Sequence, residues 1–95
     1  MKHLTPEMAS KAIRSIGGEP VIIDVNAGVV MYMLHAPTFS ERPYVTHLVS
    51  MHPNGSKAYL ELGHYDLDFP RAVEDFLERA EVWRKYPLPT AVNSN

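Results

Sequence analysis

The sequence predicts an α+β domain of two layers: a four-stranded antiparallel meander with two helices on one face, in the order α-β-β-β-β-α. Three observations carry this prediction. Segments near 6–16 and 70–85 place apolar residues at three- and four-residue steps. Between them lie four runs rich in β-branched and aromatic residues, bounded by Gly, Pro, Asn or Ser. The chain has 95 residues, enough for one core and no second.

The first helix opens at Thr5-Pro6-Glu7. Thr5 can cap, Pro6 suits the first helical position, and Glu7 sits at the positive end of the dipole. Met8, Ala12, Ile13 and Ile16 form its apolar stripe, and Gly17-Gly18 ends it, glycine accepting a left-handed C-cap. Strands follow at 20–25 and 29–35, joined by Asn26-Ala27-Gly28, a three-residue hairpin loop with Gly28 left-handed. Residues 36–43 form a loop with two prolines. A third strand covers 44–51, and the turn His52-Pro53-Asn54-Gly55-Ser56 leads to a fourth at 57–63 or slightly beyond. Asp68 or a neighbour caps the last helix, with Pro70 in its first turn. Val73, Phe76, Leu77, Ala80 and Trp83 make its stripe, Asp75 with Arg79 and Glu81 with Lys85 form pairs on its solvent side, and Pro87 stops it. The domain thus spans 1–87, and 88–95 is a mobile tail without periodicity.

Strand parity assigns the faces. With Val25 paired to Val29, one face carries Val21, Ile23, Val25, Val29, Met31, Met33, Leu48, Ala58, Leu60 and Leu62, and the helices cover it. The opposite face carries Ile22, Asp24, Val30, Tyr32, Leu34, Val45, His47, Val49, Tyr59 and Glu61. No third layer remains to cover this second face. An apolar patch rimmed by polar groups commonly marks an interaction surface, so these ten residues are the expected partner-binding site.

Composition excludes much chemistry. There is no cysteine, hence no disulfide, thiolate zinc site, iron–sulfur cluster or cysteine nucleophile. The net charge of −2 makes nucleic-acid binding a third choice. Phosphate-loop and nucleophile-elbow patterns do not occur, since Gly17-Gly18 precedes a strand and not a helix. None of the five histidines follows a zinc-binding spacing. His35, Tyr44 and His64 align at one sheet end, with Asp66 nearby, but the two imidazoles would stand roughly two strand spacings (about 9.6 Å) apart. No metal and no cofactor are therefore expected. The row Tyr32–His47–Glu61 is the one candidate for acid–base chemistry, without a nucleophile or a pocket to serve it.

The expected function is a non-enzymatic protein-binding module, a homodimer or an inhibitor or adaptor docking through its open sheet face or the edge of it. Small viral or mobile-element accessory proteins use plans of this size. The alternative is a small-molecule-binding or catalytic domain using Tyr32, His47 and Glu61. No secretory or membrane-spanning segment is read, Asn54-Gly55-Ser56 reads as a turn, and the expected setting is the cytoplasm of the producing or a host cell.

Overall fold

The computed structural model describes residues 3–85, with side chains through Val82. Pro87, the 88–95 tail and the Trp83 side chain lie outside the described residues. Helix α1 is Pro6–Ser15; strands follow as β1 Gly18–Asp24, β2 Val29–Leu34, β3 Tyr44–Met51 and β4 Ala58–Leu67; helix α2 is Phe69–Lys85. The strands form one antiparallel sheet in the order β1-β2-β3-β4, the expected meander. No helix among the described residues is long and apolar enough to cross a membrane.

The local signals work as read. Thr5 Oγ1 accepts the Met8 N–H at 3.2 Å and caps α1. Gly17 follows the helix with φ +86°. Asp68 Oδ1 accepts the Arg71 N–H at 2.9 Å at the head of α2. Gly28 takes φ +71°, where a side chain would strain the turn.

The helices do not share a face. Along β2, Val30 and Tyr32 pack with Ala9 and Ile13 of α1, while Val29 and Met31 pack with Ala72, Phe76 and Ala80 of α2. Successive strand residues point to opposite faces, so the helices lie on opposite sides and the domain has three layers. β2 is apolar at every position, as a strand buried on both faces must be. Helix α1 approaches β1 and β4, while α2 lies over β2 and β3.

The expected parity holds between β2 and β3, where Val29 pairs with Leu48 and Tyr32 with Val45. It slips by one residue at the other two hairpins. The β1–β2 loop has four residues, since Asp24 pairs with Val29 and its carbonyl accepts the Gly28 N–H at 2.8 Å. Ile23 therefore faces α1, Ile22 faces the α2 side, and Val21 becomes the extra residue of a bulge. At β3–β4, Met51 pairs with Ala58, so Ala58 and Leu60 turn to α1 while Tyr59 and Glu61 turn to the other face. One residue of loop length reverses every side chain of the strand that follows.

Each stripe also shifts. In α1 the buried positions are Ala9 and Ile13, with Met8 and Ala12 beside them and Ile16 exposed. In α2 they are Ala72, Phe76 and Ala80, while Leu77 is 58% exposed. Burying a ring such as Phe76 contributes about 1.5–3 kcal/mol, and the alanines one turn to either side let the helix sit close to the sheet.

Candidate functional site

The face expected to be open is covered. Val30, Tyr32, Val45, His47 and Val49 are buried beneath α1, and Leu34 packs against the same cluster. The reason is that α1 takes this face alone, which provides the third layer that the two-layer reading lacked. Ile22, Asp24, Tyr59 and Glu61 face the opposite side, on the two edge strands, by the slips described above. The ten residues thus do not form one surface.

Part of the predicted polar row survives. Tyr32 Oη lies 3.1 Å from His47 Nδ1, with the two rings parallel to within 2°. Glu61 is on the other face, where it accepts weakly from Ser50 Oγ at 3.4 Å. Its place at His47 is taken by Tyr65, whose Oη lies 3.0 Å from Nε2. The neutral ring donates to one phenol and accepts from the other. Burial, followed by the Arg79 and His64 charges, depresses the His47 pKa to about 4. Burial pushes the Tyr32 phenol well above its ordinary range. Both imidazole nitrogens are engaged within the fold, one by each phenol.

Two irregularities in β4 create this arrangement. Leu48 pairs with Glu61 but Thr46 pairs with His64, so Leu62 and Gly63 together oppose His47. Leu62 adopts φ +53°. The extra residue turns His64 toward α2 and Tyr65 toward His47. Gly63 is required for the approach, because a Cβ there would meet the Tyr65 ring at 2.6 Å and collide with His47 Nε2. A second extra residue, with Asp66 at φ +58°, lies between the Thr46–His64 and Tyr44–Leu67 pairs.

On the α2 face the bulge assembles a second cluster. His64 Nδ1 lies 2.8 Å from Asp75 Oδ2, and Thr46 Oγ1 donates to the same oxygen. Arg79 Nη1 donates to Thr46 Oγ1 at 3.1 Å, and Nη2 to the Leu62 carbonyl. Asp75 and Arg79 thus grip the sheet and are not a solvent-side pair. Burial opposes ionisation of Asp75, but hydrogen bonds from Thr46 and His64 and the nearby cations hold its carboxyl below the ordinary value. Burial lowers the Arg79 pKa, which Asp75 partly offsets. Among the described residues, no buried side-chain nitrogen or oxygen lacks a hydrogen-bond partner. His35, expected near His64 at the sheet end, lies beside Glu19 at 3.6 Å instead. The signal for this cluster lay in the sequence as Asp75 and Arg79 one turn apart, but which way they point depends on the bulge.

The same bulges leave one regular stretch of edge. His52 N–H donates to the Lys57 carbonyl at 2.7 Å. Hydrogen-bonded pairs alternate along an antiparallel ladder, so Tyr59 and Glu61 bond β3, while Ala58, 6% exposed, and the half-buried Leu60 turn their N–H and C=O away from β3. Between α1 and this stretch runs an open groove of about 520 Å³, lined by Met8, Lys11, Ala12, Lys57 and Tyr59 among others. Neither lysine has an ion-pair partner among the described residues. The other edge, β1, is closed to pairing by Pro20, which has no N–H, and by the bulge at Val21.

Fold and site together define the class: a small α+β domain with a helix on each face of a meander. Compared with known protein families, with curated proteins and with solved structures, the chain shows no match.

Proposed function

We propose that this protein is a non-enzymatic protein-binding module that docks by strand addition at the first half of β4. The observation that carries this reading is the contrast between the edges. A proline and a bulge guard β1, whereas at the start of β4 Ala58 and Leu60 turn their N–H and C=O away from β3, beside the groove. Main-chain hydrogen bonds to an added strand supply affinity, and the flanking pockets supply selectivity. Tyr59, 41% exposed in the middle of this stretch, is the kind of side chain that anchors interfaces. An inhibitor or adaptor would use the edge in this way.

The test is a photo-crosslinking amino acid in place of Tyr59, with the same probe in place of Val21 on the guarded edge. Adducts to a protein are expected from position 59 and not from position 21. Equal labelling from both, or none from position 59, would overturn the reading.

A further inference from the structure

We infer that the strand received at this edge is the same strand of a second copy, related by a two-fold axis at Tyr59. This rests on the docking reading above and names its partner. Only registers that bring outward-facing residues opposite one another can form the ladder, and on this stretch those are Ala58 and Leu60. One such register sets Ala58 opposite Leu60 of the copy and Leu60 opposite its Ala58. Tyr59 then meets its own copy at the axis, and Lys57 stands opposite Glu61 of the copy, twice. Tyr59 and Glu61 lie on the α2 side of the sheet, because Tyr59 pairs with Ser50 and Glu61 with Leu48.

Shifting the register by two residues either way removes the ion pairs. One shift sets Lys57 opposite Tyr59, and the other sets it opposite Gly63. The segment Lys57-Ala58-Tyr59-Leu60-Glu61 is therefore self-complementary when antiparallel: basic at one end, acidic at the other, aromatic at the centre. Lys57 is exposed and has no ion-pair partner within its own chain among the described residues. Glu61 is half-buried and accepts a 3.4 Å contact from Ser50, with no ion-pair partner among the described residues. The product is a continuous eight-stranded sheet from two four-stranded ones. Such a seam is short, so the dimer is weak and concentration-dependent.

The test uses sedimentation of the full chain, over roughly 10 µM to 1 mM, the range for weak association. The wild type should dimerise reversibly. Lys57→Glu and Glu61→Lys each convert two attractive cross-strand pairs into two repulsive ones, weakening self-association by about tenfold. An equimolar mixture of the two variants should associate as the wild type does, because the mixed dimer recovers both ion pairs; a merely unfolded variant could not do this. A wild type that stays monomeric, or single variants that dimerise normally, would overturn the proposal. Crosslinks from position 59 separate the two levels. Adducts to other proteins alone refute the second copy and keep the docking edge, whereas no adduct of any kind removes both.

Discussion

His47 should make the stability of this domain fall in mild acid. In the unfolded chain its pKa is about 6.5. In the fold the ring is buried between Tyr32 and Tyr65, with the Arg79 and His64 charges nearby, and its pKa is about 4. The folded state therefore binds this proton less readily than the unfolded state. Between the two values the unfolded chain carries the extra proton, so stability rises with pH across that window and is lost as pH falls from about 6.5 toward 4. A difference of about 2.5 units corresponds to about 3 kcal/mol once both states are protonated, of which about 2.5 kcal/mol is lost between pH 7 and 4.5. Against a typical total of roughly 5–15 kcal/mol, that is a large share. Denaturant unfolding at the two pH values measures it, with His47→Gln as the reference, since glutamine does not titrate. The wild type should lose about 2.5 kcal/mol more than the variant over this interval. Equal losses, or an NMR titration placing the His47 midpoint above 6, would refute the reasoning.

Two further predictions test the packing. Gly63→Ala forces the Tyr65 ring away from His47 and should cost about 1–3 kcal/mol, with loss of the Tyr65–His47 contact visible in NMR spectra. Phe76→Ala should cost about 3–5 kcal/mol in thermal or denaturant unfolding, whereas Leu77→Ala, one position along the same helix, should stay within about 0.5 kcal/mol. Periodicity alone treats these two residues alike, so the comparison also checks which face of α2 meets the sheet.

The candidate site was legible only where registers follow from the sequence. Tyr32 and His47 come together as expected, because the β2–β3 pairing has the parity that alternation along the two strands predicts. Glu61 was assigned to the same row by counting alternate residues through a turn. The turn from His52 to Lys57 has the opposite parity, and the bulge at Leu62 then delivers Tyr65 in its place. Gly63 is the local mark of that bulge, but the left-handed residues themselves, Leu62 and Asp66, are not glycines. The Thr46–His64–Asp75–Arg79 cluster was hidden for the same reason, and two of its members were assigned to solvent.

What the sequence determined by itself was the set of elements, their order, and the antiparallel α+β meander. Caps, breakers and hydrophobic period are properties of neighbours along the chain, and Thr5, Gly17, Gly28 and Asp68 act within a few residues of where they stand. What only the tertiary structure decided was which helix takes which face. The apolar surplus of Val30, Leu34, Val45 and Val49 looked like a surface awaiting a partner, and α1 covers it. A side chain's face changes with a single residue of loop or bulge. That choice is made by which packing buries both faces of β2 and β3 at once, a condition that no local stretch of sequence states.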